Sequence, residues 1–186
     1  MTGNLRFDSG ARVRALVRSI GLECVTGDSA RIMSKNTITL PQIEAACRHV
    51  AELLSLGMTE NLAIRNLELF ANVYAKHRII GSTSPDHVTQ FSLWSQAALA
   101  HRANEGELGG RFLRVEHGTP RRQFARLILK AFHEGALTQD WLNILCDQRW
   151  KVAVITLDED RLLNSMARSK LYDSPEERWQ DAGIIF

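Results

Sequence analysis

Along most of the chain apolar residues recur every three or four positions, and in two short stretches they alternate or crowd together instead. The first rhythm predicts amphipathic helices and the second strands. Val13, Leu16, Val17 and Ile20 outline a helix over Ser9–Ile20, with Gly21 to stop it. Leu22–Val25 and Thr37–Leu40 read as short strands around the turn Gly27-Asp28-Ser29. Pro41 suits the first turn of a helix reaching Leu56, whose stripe is Ile43, Ala46, Cys47, Val50, Leu53 and Leu54. Gly57 closes it, and Thr59 caps a helix over 60–78 built on Leu62, Ile64, Leu67, Phe70, Ala71, Val73 and Tyr74. Helix, Gly-Met-Thr, helix has the spacing of a DNA-binding helix-turn-helix, although a plain helical hairpin accounts for it as well. Ser84-Pro85 opens a helix over 85–104 through Val88, Phe91, Leu93, Trp94, Ala97 and Ala98.

After a glycine-rich loop, Arg111–Glu116 alternates basic and apolar side chains as a strand does, and Gly118 frees the backbone to turn. Thr119-Pro120 starts a helix that runs to His133 and buries Phe124, Leu127, Ile128, Ala131 and Phe132. Thr138 caps a short helix through Trp141, Leu142 and Leu145, and β-branched Lys151–Thr156 is a strand. Thr156–Glu159 and Ser174–Glu177 are capping boxes for two more helices, the last stopped at Gly183. Gly-Ile-Ile-Phe then reads as a strand or a docked tail. The pattern predicts one mostly helical α+β domain over 1–186, with an N-terminal helical bundle (1–104) and a C-terminal part (105–186) holding a small β-sheet.

Composition narrows the class without naming a function. Apolar residues make up 45% and charged ones 24% of 186, the balance of an ordinary globular protein. Nothing approaches the ~18 apolar residues of a membrane span, and Met1–Asp8 lacks a signal-peptide core, so a cytoplasmic protein without a membrane partner is expected. Cys24, Cys47 and Cys146 lie far apart and read as buried, reduced thiols. The net charge is only +2, yet Arg111, Arg114, Arg121, Arg122, Arg126 and Lys130 face a single acid, Glu116, within twenty residues. Such a patch suits phosphates. A solvated face paired with carboxylates from elsewhere explains it equally well.

Candidate chemistry concentrates at Glu116-His117. Histidine moves protons near neutral pH and arginine forks onto phosphate, so His117 with Arg114, Arg121 or Arg122 would suit phosphodiester cleavage. The plainer reading pairs Glu116 with an arginine and hydrogen-bonds His117 to a backbone carbonyl. Val115-Glu116-His117-Gly118-Thr119-Pro120 resembles the opening of HNH, or ββα-metal, nucleases. That resemblance implies that His117 activates water, while Glu116 with Asp160 or Asn164 holds a divalent metal, Mg²⁺ or Mn²⁺. It also implies a metal-dependent endonuclease of a bacterial defence, restriction or mobile-element system, with Arg111, Arg121, Arg122, Arg126 and Lys130 holding the nucleic acid. The alternative is a non-catalytic helical module that binds nucleic acid or another protein, with oligomeric state open and a dimer among the options. Convergence of Glu116, His117 and a group from 158–164 in one cleft favours the enzyme; a buried His117 favours the module.

Overall fold

Thr39 and Gln42 set the start of the first helix. Thr39 N–H donates to Gln42 Oε1 at 2.8 Å, closing a capping box on α1 (Leu40–Ser55), which buries Ile43, Ala46, Cys47 and Val50. The box claims Leu40 as the first helical residue, so the strand expected at Thr37–Leu40 does not form. The computed structural model describes residues 37–105, 111–167 and 170–186, all in the compact unit Lys35–Phe186. The helix expected at Ser9–Ile20 and the strand at Leu22–Val25 lie outside the described residues.

The helix expected over 60–78 is two pieces, α2 (Glu60–Ala63) and α3 (Arg65–Ile80), joined at the fully buried Ile64. Gly81 ends α3 in the left-handed conformation, at φ 70°. The long helix expected over 85–104 is a correction. Residues 84–95 are irregular apart from a 3-10 turn at Val88–Gln90 and a bridge at Trp94, and only Gln96–Glu105 is α-helical (α4). Tertiary hydrogen bonds outweigh the helical periodicity there. Val154 N–H donates to the Leu93 carbonyl at 2.9 Å and Ser95 N–H to the Val154 carbonyl at 3.0 Å, while Lys76 draws in Ser84, Asp86 and Gln90.

The remaining elements are β1 (Leu113–His117), α5 (Arg121–His133), α6 (Gln139–Arg149), β2 (Val152–Thr156), α7 (Leu157–Ala167) and α8 (Pro175–Asp181). Thr138 Oγ1 caps α6 through Trp141 N–H at 3.2 Å, and Thr156 with Glu159 forms the expected box on α7. The chain is a mostly helical α+β fold with one small antiparallel sheet, Leu113 lying opposite Thr156 and His117 opposite Val152. No described helix is long and apolar enough to cross a membrane.

That sheet is a partition. Leu113, Val115, Val152 and Val154 pack into a large core with α1, α3, α5 and α6. Ala153 and Ile155, on the opposite face, pack with Leu163, Trp179, Ala182 and Ile184. The tail is docked: Gln96 N–H donates to the Ile185 carbonyl at 2.8 Å, and the Phe186 ring lies 4.8 Å from that of Trp179. Val154, fully buried between β1 and the Trp94 segment, tests this layout. Val154→Ala is expected to cost about 1–3 kcal/mol in urea unfolding, through lost burial and a residual cavity. A loss indistinguishable from zero would contradict its central place.

Candidate functional site around His117

Successive side chains of a strand point to opposite faces. Glu116 and Arg114 therefore share the small-core face with Ala153 and Ile155, while His117 points with Val152 into the bundle. The acid and the histidine, adjacent in sequence, stand on opposite sides of the sheet. Arg114 is likewise across the sheet from His117, and its guanidinium donates to the Leu113 carbonyl at 2.9 Å.

His117 is buried in a polar nest. Its Nε2 lies 2.9 Å from Asn72 Oδ1, which also accepts from Trp150 Nε1 at 3.0 Å. The indole is donor-only, so the Asn72 atom is an acceptor and His117 carries its proton on Nε2. Arg121 Nε, 3.4 Å from that nitrogen, therefore packs against it as a charge instead of donating to it. Asp86 Oδ2 is 3.8 Å from Nε2 and 2.5 Å from Arg121 Nη2. Asp86 Oδ1 accepts from Lys76 Nζ at 2.7 Å, and the same ammonium donates to Gln90 Oε1 at 2.8 Å and the Ser84 carbonyl at 2.7 Å. Lys76, only 2% exposed, thus has an acceptor for each of its three protons.

Burial, with the Arg121 charge beside it, pushes His117 down to about 3 despite the opposing pull of Asp86. It is a neutral imidazole at pH 7 whose proton is aimed at Asn72. Burial pushes Asp86 up, but the Lys76 hydrogen bond and the neighbouring positive charges outweigh it and hold the carboxyl below its usual range.

Glu116 has a separate partner. Arg178, buried on α8, donates to Glu116 Oε1 at 2.5 Å and to the His117 carbonyl at 3.0 Å. The expected pairing of Glu116 with an arginine is present, but the arginine comes from α8 and not from the basic segment. Burial raises Glu116 above the ordinary carboxylate range, Arg178 opposes the shift and the Asp160 charge adds to it. Asp160 and Asn164 sit together on α7, with Asn164 Nδ2 3.0 Å from Asp160 Oδ1. Among the described residues no three of His, Cys, Asp and Glu form a group that could hold a metal ion. Gly118 serves close approach instead of a special backbone angle: a Cβ there would overlap Pro175 and come within 2.8 Å of Trp179 Cζ2.

The basic row on α5 is anchored by acids from earlier in the chain. Arg122 Nε donates to Glu68 at 2.8 Å and its Nη1 to Asn61 at 2.9 Å; Arg126 Nε donates to Glu60 at 2.5 Å. Lys130, more exposed, is 3.8 Å from Glu134. Arg111 precedes β1, its guanidinium 5.4 Å from the Phe112 ring centroid. Cys47 and Cys146 are buried, and burial pushes both thiols up to about 12, which leaves them protonated and unreactive. Cys24 lies outside the described residues.

Lys76, Asp86, Asn72 and Arg178 were not among the candidates from sequence. Two of them left a signal. Arg178 falls in the buried stripe Pro175, Arg178, Trp179, Ala182, and Lys76 follows Asn72 by one turn beside Ala71 and Ala75. A cation at a core position of an amphipathic helix announces a buried partner. Asp86 left none, because the loop that delivers it has no periodicity. No protein-family model, curated protein or solved structure matches this chain.

Proposed function

We propose that this chain is a nucleic-acid-directed binding protein whose contact surface is the arginine row of α5, and that it acts by binding and not by cleavage at Glu116-His117. The observation that carries the reading is the anchoring of Arg122 and Arg126. Arg122 is held by the Glu68 carboxylate at 2.8 Å and by Asn61, and Arg126 by the Glu60 carboxylate at 2.5 Å, yet they stay roughly a third exposed, at 32% and 37%. An arginine fixed in this way keeps its remaining N–H groups for a phosphate, with little left to lose in side-chain entropy. Arg122, Arg126 and Lys130 follow one another at intervals of four residues, about 6 Å apart along the axis. The buried His117 supports binding over chemistry, since an imidazole that burial holds neutral down to about 3 is a weak base.

The test is fluorescence anisotropy with labelled single-stranded DNA, duplex DNA and RNA over a salt series. Affinity should fall steeply with salt, and Arg122→Gln with Arg126→Gln should reduce the slope of log K against log salt by about two. An unchanged slope in that double variant would move the surface elsewhere.

One observation favours a second reading, a metal-dependent phosphodiesterase. Asp160 is near enough to raise Glu116, and the repulsion between two neighbouring carboxylates is relieved by a shared cation. In that reading Glu116, Asp160 and Asn164 hold Mg²⁺ or Mn²⁺. Incubating the same nucleic acids with either metal and with chelator decides it. Cleavage lost with chelator and in Glu116→Gln would establish the enzyme, and intact substrates under every condition would leave binding alone.

A further inference from the structure

Arg121 differs from its neighbours on α5. Its carboxylate partner comes from the irregular segment between Gly81 and the 3-10 turn, whereas Arg122 and Arg126 are anchored by acids on α2 and α3. Asp86 Oδ1 is already engaged by Lys76, and the Arg121 contact uses the second oxygen. Around this one carboxylate stand an ammonium and a guanidinium, with the neutral His117 ring 3.8 Å away. Two positive charges face one negative charge, with the positive N-terminal end of α5 beside them. The cluster therefore keeps a surplus positive charge after Asp86 is counted. Arg121, 47% exposed, carries that surplus to the surface, while the carboxylate beneath it is 13% exposed.

This is how a phosphate site looks when an internal anion fills it. A carboxylate gathered by lysine and arginine meets the donors a phosphate oxygen would, and it carries the single charge of a backbone phosphodiester. We propose that Asp86 is a latch: it occupies the phosphate position on Arg121, and the 81–87 segment thereby sets the affinity of the α5 face for a nucleic-acid backbone. The inference rests on the α5 face being the binding surface. Withdrawing Asp86 turns Arg121 outward and adds one phosphate contact to those of Arg122 and Arg126. The bland account, an ion pair that only fastens the loop, predicts a change in stability and none in affinity.

The informative variant removes the latch without changing net charge. Lys76→Met with Asp86→Asn deletes one positive and one negative charge, and it leaves no buried ammonium without a counter-charge to threaten folding. Anisotropy with a labelled single-stranded oligonucleotide at low salt should show the double variant binding about 3–10-fold tighter than wild type, the worth of one added phosphate contact. The salt slope should steepen by about one, and adding Arg121→Gln should abolish both gains. Circular dichroism melts accompany each variant. Equal affinity in wild type and the folded double variant overturns the latch, as does a gain that persists without Arg121. If Arg122→Gln/Arg126→Gln still flattens the slope in that case, the α5 surface stands and only the latch falls. No binding by any variant overturns both.

Discussion

Moving from pH 7 to pH 5 is expected to cost the folded protein about 2 kcal/mol through His117 alone. The folded chain keeps this imidazole neutral until about pH 3, because burial and the Arg121 charge disfavour its cation. The unfolded chain takes up that proton near pH 6.5. Between those values the unfolded state binds more protons, so stability falls as pH falls, by up to about 1.4 kcal/mol per unit. Urea unfolding of wild type and His117→Gln at both pH values isolates the effect. The variant starts less stable, since Asn72 loses a partner, but it should lose about 2 kcal/mol less between pH 7 and 5. Asp86, held low, sheds its stabilisation only below this window, as pH drops through its folded-state pKa. Glu116 is common to both proteins and cancels in the difference. Parallel pH dependences would show that His117 is not held neutral.

Arg178→Met is expected to be the most damaging single change of charge, costing about 3–5 kcal/mol, because it strands a buried carboxylate at Glu116. Two backbone carbonyls at the end of β1 lose a donor as well, those of His117 and Gly118. Combining it with Glu116→Gln should restore a large part of the loss, since the penalty belongs to the uncompensated charge and not to the missing guanidinium. The sign of its pH dependence follows. Without Arg178 the Glu116 carboxyl rises further, so the single variant should approach wild type as acid protonates it. Additive losses in the double variant, or a deficit independent of pH, would mean that Arg178 stabilises by packing alone.

Much of this architecture was readable from periodicity. Ile43, Ala46, Cys47 and Val50 mark the buried face of α1, and alternation over 111–116 with crowding over 151–156 marks the two strands, because these elements bury a face whose spacing the chain must obey. Residues 84–95 misled because Val88, Phe91 and Trp94 have helical spacing but meet the core from a 3-10 turn and the irregular segment after it, tied down by Val154 and Lys76. The helical break at Ile64 left no cue among the residues around it.

For the site, sequence showed where ionisable groups gather but not who answers whom. The partners of Arg121, Arg122 and Arg126 come from 35 to 66 positions away. Pairing at such distance is a property of packing. The separation of Glu116 from His117, in contrast, was implicit in reading 111–116 as a strand, since neighbours on a strand cannot share a face.

The partition made by the two-stranded sheet has a consequence for how the chain avoids misfolding. Five-residue strands joined by so few hydrogen bonds specify their alignment weakly by backbone alone, and a slip by one residue turns every side chain over. Here a slip of β1 that moves Glu116 into the place of His117 would carry His117 under Trp179. Arg178 would lose its carboxylate, and Gly118, the position that tolerates the approach of Pro175, would be replaced by a residue with a Cβ. Such a slip is penalised at the Arg178–Glu116 pair and at the close approach of Gly118. The buried charges flanking this strand thus act as a proofreading code, rejecting wrong alignments that apolar side chains alone would accept.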